Sequence, residues 1–100
     1  MYFFVRTANP RPTFHLDMTA EERATMNAHV AYWSEKAQKG TAIVFGPVMD
    51  PAGVFGMGVY RADDESSKHA MLKDDPANGL LTYECFPIRG QWLVSSAPEA

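Results

Sequence analysis

The stretch TAIVFGPVMDPAGVFGMGVYR, residues 41–61, decides the fold because it holds two strand-like segments on either side of a tight turn. Thr41–Met49 and Val54–Arg61 are rich in β-branched and aromatic residues, which is typical of strands. Between them, DPAG at Asp50–Gly53 places proline at the second position of a β-turn, where its fixed backbone angle fits. The stretch therefore predicts a β-hairpin.

A helix is predicted before the hairpin. Thr19 and Glu22 have the spacing of a capping box at a helix N-terminus, and Gly40 suits the position just after the last turn. Apolar residues between these limits recur at helical spacing. They predict one buried stripe, formed by Met26, Val30, Trp33 and Ala37.

The outer segments complete a β-α-β-β-α-β order. Tyr2–Arg6 predicts a first strand, Asp63 or Asp64 begins a second helix that runs to about Asp74, and Leu80–Ile88 predicts the last strand. This order is the split βαβ, or ferredoxin-like, motif. We expect an α+β fold with a four-stranded antiparallel sheet and both helices on one of its faces.

The other face of the sheet is predicted to be covered by a second copy of the chain. Ile43 and Phe45 alternate with Val44, so both faces of this strand are apolar. A large apolar surface typically marks an interaction site. The simplest cover is the same sheet of another copy, which gives a two-fold homodimer through the open sheet face.

Composition limits the classes of protein and partner. The chain has 100 residues and a formal net charge of −3, which fits a single domain and lacks the basic footprint of nucleic-acid binders. We place the domain at residues 1–90 and a C-terminal tail at residues 91–100. No apolar run reaches the roughly 18 residues of a membrane span, and the single cysteine, Cys85, suits a reducing compartment. We expect a cytoplasmic protein without nucleic-acid or membrane partners.

His29 and Asp75 are the candidates for chemistry. The three histidines lack zinc-ligand spacing and no phosphate-binding motif occurs, so no metal site and no cofactor is predicted. His29 lies about ten residues into the first helix and Asp75 about eleven residues past the start of the second, or roughly 15 and 16 Å along parallel axes. A hydrogen bond between them would fix the imidazole tautomer. The alternatives are a structural histidine and an aspartate that merely ends a helix before Pro76.

Further residues are candidates for substrate binding, each with a structural alternative. Arg11 and His15 lie in the proline-containing segment Thr7–Met18, a long connection of the kind that often forms a rim or lid. They would clamp a substrate or be solvated surface. The remaining candidates would line a pocket, or else form core, interface, strand end or bulge, and they are Trp33, Phe45, Gly46 and Pro47.

The sequence resembles the YCII-related family, small proteins of the dimeric α+β-barrel superfamily. The resemblance rests on AHVAYWSEKAQKG (Ala28–Gly40), FGPVMDPAGVFG (Phe45–Gly56) and the Asp75-Pro76 step, and it covers roughly residues 1–88. It implies an enzyme with a His–Asp pair, which His29 and Asp75 match. A dehydrochlorinase that acts on a chlorinated hydroxyquinol belongs to this family.

Two positions depart from the family pattern. Many members have arginine three residues before the histidine, where this chain has Met26, and many read Asp-Pro-Phe, where it has Ala77. The first departure counts against an anion bound beside His29, and the second indicates a differently shaped pocket wall near Ala77.

We predict a small-molecule enzyme of lyase or isomerase type, without a cofactor. His29 would act as general acid or base and Asp75 would orient it, in proton abstraction, elimination or isomerisation. The alternative is a non-catalytic module of the same fold that binds a small ligand or serves as a dimeric interaction partner.

Overall fold

The computed structural model describes residues 1–89. Its elements are β1 (Tyr2–Ala8), α1 (Phe14–Asp17), α2 (Ala20–Gln38), β2 (Ala42–Val48), β3 (Phe55–Arg61), α3 (Glu65–Lys73) and β4 (Thr82–Ile88). The strands form one antiparallel sheet in the order β2-β3-β1-β4. The predicted α+β fold with a four-stranded antiparallel sheet is confirmed, whereas the predicted tail at residues 91–100 lies outside the described residues.

The N-terminus of α2 forms as its sequence predicts. The Thr19 hydroxyl accepts a hydrogen bond from the Glu22 backbone N–H, and the Glu22 carboxylate accepts one from the Thr19 backbone N–H. This reciprocal capping box satisfies two donors that a helix start leaves unpaired.

The buried face of α2 differs from the predicted stripe. Val30 is 49% exposed and Ala37 is exposed, whereas His29 and Tyr32 are partly buried beside the buried Trp33. The prediction from apolar spacing is wrong for Val30 and Ala37, because His29 and Tyr32 take the buried positions beside Trp33. His29 and Tyr32 can do so since their polar atoms hydrogen bond to the Asp75 carboxylate and to the Met71 backbone carbonyl. Side chains with satisfied polar tips can take buried positions that hydrophobicity alone assigns to others.

The segment after β1 is more ordered than predicted. β1 continues to Ala8, and the short helix α1 interrupts the expected irregular stretch. Phe14 in α1 is 1% exposed and forms a small core cluster with Ala77 and Leu81. The aromatic ring therefore fastens this segment to the chain that follows α3.

The hairpin contains a bulge that the sequence did not indicate. Ala42 pairs with Tyr60 and Val44 with Val59, so Ile43 is an extra residue in β2. The expectation that Ile43 and Phe45 share a face by simple alternation is therefore wrong, since a bulge shifts the pattern by one residue.

Gly46 and Pro47 lie inside β2, so the alternatives of a strand end or a bulge at this position are also wrong. β2 is an edge strand, which tolerates a residue without a backbone N–H.

Both long helices cover one face of the sheet. Trp33 of α2 and Met71 of α3 pack in one core cluster with Phe3 of β1 and Tyr60 of β3. The opposite face is open, and there Phe86 is 50% exposed. Among the helices of residues 1–89, none has the length and apolar character needed to cross a bilayer.

Candidate active site

A cavity of about 440 Å³ lies between α2 and the helix-covered face of the sheet. Most of its wall is apolar, and Val5, Phe14, Met26, Trp33, Phe45 and Leu81 contribute to it. Cavities of this size and character are typical of sites for small organic molecules, which a few polar groups then orient.

Asp75 reaches this cavity because α3 stops just before it. Asp74 is the C-cap of α3, and Pro76 prevents the helix from continuing. The Asp75 carboxylate is fully buried, with 0% of the side chain exposed. Burial of a charge near the negative end of a helix is unfavourable, so this carboxylate requires compensating donors.

Four donors supply that compensation. His29 Nδ1 lies 2.9 Å from both Asp75 carboxylate oxygens, and the Ala77 backbone N–H donates to Oδ1 at 2.9 Å. The Trp33 indole N–H and the Tyr83 hydroxyl donate to Oδ2 at 2.6 and 2.7 Å. Two carboxylate oxygens offer about four lone-pair positions, so the acceptor capacity of Asp75 is filled.

These contacts keep Asp75 ionised. Burial raises the pKa of the Asp75 carboxyl, but the hydrogen bonds from His29, the Ala77 amide, Trp33 and Tyr83 outweigh it and hold the pKa below its ordinary value. Burial, and then the hydrogen bond to Asp75, raise the pKa of the Tyr83 hydroxyl, so that the phenol remains a donor. An ionised carboxylate is a strong acceptor for these donors.

The tautomer of His29 follows from its partner. A carboxylate only accepts hydrogen bonds, so Nδ1 carries the proton, and in the neutral ring Nε2 is the basic nitrogen. Within residues 1–89 no side chain or backbone group hydrogen bonds to Nε2. The His29 side chain is 16% exposed and lines the cavity. The arrangement leaves one imidazole nitrogen able to exchange a proton with a bound molecule.

Comparison with known proteins identifies the family. The family model described as the YCII-related domain matches residues 2–90. The chain belongs to the YCII-related domain family. This confirms the resemblance found in the sequence, and it agrees with the α+β architecture of this YCII-related protein.

One solved structure with the same fold is 5-chloro-2-hydroxyhydroquinone dehydrochlorinase (TftG) from Burkholderia phenoliruptrix AC1100, in complex with 2,5-dihydroxybenzoquinone. The two chains align with a TM-score of 0.67 and 17% sequence identity, over 89% of this chain and 94% of the other. At this identity the likeness shows a common fold. The comparison with curated proteins gave no match.

The structure brings most of the predicted substrate-binding residues of the YCII-related protein to the cavity. His15 of α1 lines it from the rim, and the others in its wall are Trp33, Phe45, Gly46 and Pro47. Trp33 is also part of the core and a donor to Asp75, so it combines the two interpretations.

Arg11 is the exception, because it does not line this cavity. Its guanidinium binds Asp17 through Nε at 2.9 Å and Glu22 through Nη2 at 2.8 Å. Hydrogen bonds from Arg11 and then from the Thr19 amide lower the pKa of Glu22 to about 2. Arg11 therefore ties the segment before α1 to the first turn of α2.

Tyr83 is a site residue that was not singled out from the sequence. It lies eight residues after Asp75, and its hydroxyl reaches back to the carboxylate. The alternation of β4 places Tyr83 on the same face as the half-buried Cys85, which was the one available signal.

Within residues 1–89, no three histidine, cysteine, aspartate or glutamate side chains cluster in a way that would hold a metal ion.

Proposed function

We propose that this YCII-related protein is a small-molecule enzyme in which His29 is the general acid–base and Asp75 orients it. The observation that carries the proposal is the hydrogen bond of His29 Nδ1 to both oxygens of a fully buried carboxylate. His29 also lines a cavity of about 440 Å³, and its Nε2 has no hydrogen-bond partner among residues 1–89. A positioned imidazole of this kind contributes roughly 10²–10⁴-fold to a proton-transfer step.

The chemistry is a proton abstraction at the bound molecule. Nε2 of neutral His29 takes a proton from carbon or oxygen, and the freed electron pair forms a new double bond. In an elimination the leaving group departs with its own electron pair, and in an isomerisation the imidazolium returns its proton at another carbon. The ionised Asp75 stabilises the imidazolium that forms in between.

The substrate class we propose is a small ring compound with hydroxyl or halogen substituents. The apolar wall and the cavity volume suit such a molecule. The neighbour of similar fold is a dehydrochlorinase bound to 2,5-dihydroxybenzoquinone, which adds support by analogy of fold.

Turnover by His29 variants tests the proposal. Hydroxylated and halogenated aromatics, lactones and keto acids are screened by thermal shift, and binders are assayed for chloride release and for solvent deuterium uptake by NMR. We expect wild type to turn over at least one of these compounds. His29→Ala should lower the rate at least 100-fold.

The matched control for this test is His69→Ala, because His69 is exposed on α3. It should leave the rate unchanged. Equal turnover by wild type and His29→Ala would contradict the catalytic role of His29. Tight binding without turnover by wild type would instead support the non-catalytic ligand-binding module.

We also propose a cytoplasmic homodimer that forms through the open sheet face. Val44 and Phe86 on this face are 49% and 50% exposed, which is unusual for large apolar side chains in a sheet. The free thiol of Cys85 supports a reducing compartment.

Light scattering on size-exclusion fractions tests the dimer. Phe86→Asp should yield monomers, because it places a charge on the shared apolar face. Leu16→Asp, at an apolar side chain of α1 that is 76% exposed, should remain dimeric. A monomeric wild type would contradict the proposal.

A further inference from the structure

The cavity wall contains a hydroxyl, that of Thr7, with no hydrogen-bond partner among residues 1–89. Thr7 of β1 is 7% exposed and lines the cavity. Within residues 1–89 no hydrogen bond joins the Thr7 hydroxyl to another side chain or backbone group, and the hydroxyl oxygen itself is not fully buried. A hydroxyl that remains accessible on a largely buried side chain in a cavity wall can hydrogen bond to a molecule bound there.

Neighbouring strands make room for this hydroxyl. Thr7 pairs with Gly56 of β3 on one side and with Tyr83 of β4 on the other. A Cβ atom at position 56 would overlap Thr7 Oγ1. Glycine at position 56 therefore allows the orientation of Thr7 that the structure shows.

The position of Thr7 relates it to the candidate catalytic pair. Tyr83 is its direct cross-strand partner, and the Tyr83 hydroxyl binds Asp75, which in turn binds His29. Thr7 is thus a neighbour of Tyr83, which binds the Asp75 carboxylate, and Thr7 and His29 both line the same cavity. Most of the cavity wall is apolar, which suits a ring, and Thr7 and His29 each offer that ring a polar contact.

We infer that Thr7 is a ligand-contact residue that selects substrates with a second oxygen substituent, one oxygen lying at His29 and the other at Thr7. This inference rests on the proposed function, because it takes the cavity as the substrate site. A site built to hydrogen bond an oxygen discriminates against an analogue that lacks it, since the buried partner is then left unpaired.

Pairs of small probes test this selection. Catechol, resorcinol and hydroquinone are each compared with the cresol in which methyl replaces one hydroxyl, and dissociation constants are measured by calorimetry. Wild type should bind at least one diol about tenfold more tightly than its cresol. Thr7→Val should abolish this preference by weakening diol binding, and Thr7→Ser, which retains a hydroxyl, should restore most of it.

Two further variants make the outcomes decisive. Thr82→Val is the matched control, because Thr82 is exposed in β4 and lies outside the cavity wall. It should keep the preference. If wild type binds no diol with a dissociation constant below 10 mM, or if Thr7→Val keeps the wild-type preference, the inference is wrong. If His29→Ala loses diol binding but Thr7→Val binds diols as tightly as wild type, the inference about Thr7 is wrong, whereas the proposed function is not contradicted.

Discussion

Asp75 and Asp17 are carboxylates that each accept several hydrogen bonds, but in very different surroundings. Asp75 is fully buried and accepts four hydrogen bonds beside the cavity. Asp17 is 52% exposed and binds Thr13 and Arg11 at the surface. Both carboxyl groups have pKa values below the ordinary value, Asp75 despite burial and Asp17 because Thr13 and Arg11 donate to it.

Burial separates an interaction that the fold depends on from one that water can replace. Solvent competes for Asp17 and screens its charge, so its partners contribute little to stability. Water does not reach the carboxylate of Asp75, so each lost donor leaves an unpaired charge. The same burial gives His29 a fixed orientation at the cavity.

The largest effect is expected for Asp75→Asn, with Asp17→Asn as the exposed counterpart. Asparagine replaces one acceptor oxygen by a donor NH₂ that faces the donors of His29, Trp33 and Tyr83. We expect a loss of about 3 kcal/mol in the free energy of unfolding, measured in urea. Asp17→Asn should unfold at nearly the wild-type urea concentration. Equal midpoints for the two variants would contradict the comparison.

The next effect is a pH dependence that belongs to Asp75. Its pKa in the folded protein is below its unfolded value, so its contribution to stability is present above the unfolded value of roughly 4 and is lost as the pH falls through the folded one. Stability of wild type should therefore drop on acidification below about pH 5. The drop should be smaller in Asp75→Asn, whose side chain cannot titrate. If the stability of the two proteins depends on pH in the same way, Asp75 is not the cause of the drop.

A smaller effect is expected for Tyr83→Phe, which removes one of the four donors to Asp75. Loss of one hydrogen bond to a buried charged group should cost about 1–2 kcal/mol of unfolding free energy. The loss of stability on acidification should also occur at higher pH than in wild type, because Asp75 loses a contact that lowers its pKa. Tyr2→Phe is the control, and it should change neither quantity.

The smallest effect is expected for Arg11→Ala at the surface cluster. The side chains of Arg11 and Glu22 are 34% and 20% exposed, so water can replace their contact. The melting temperature should change little, and any change should shrink in 1 M NaCl because salt screens exposed pairs. A large change that persists in high salt would mean that water does not replace the contacts of Arg11, as it does not replace those of Asp75.

Several elements were predictable because their signals are local. The capping box of α2 and the turn of the hairpin each depend on a few consecutive residues. The hydrogen bond between His29 and Asp75 was also anticipated, since two helices that start at one sheet edge place these residues at similar heights.

Other features depend on register and on distant partners. The bulge at Ile43 changes which residues of β2 face the helices, and only the pairing with β3 defines it. Tyr83 joins the site through a carboxylate that β4 reaches only in the folded sheet. The partners of Arg11 likewise lie six and eleven residues away, across α1, where no periodic pattern extends.

We propose that buried Asp75 holds the Nδ1–H tautomer of His29 and so presents Nε2 to the cavity. Nitrogen-15 NMR of the histidine side chains at pH 8 tests it directly, because it distinguishes a protonated ring nitrogen from an unprotonated one. We expect His29 to have a protonated Nδ1 and an unprotonated Nε2, and Asp75→Asn to remove this preference. A protonated Nε2 in the wild-type protein would contradict it.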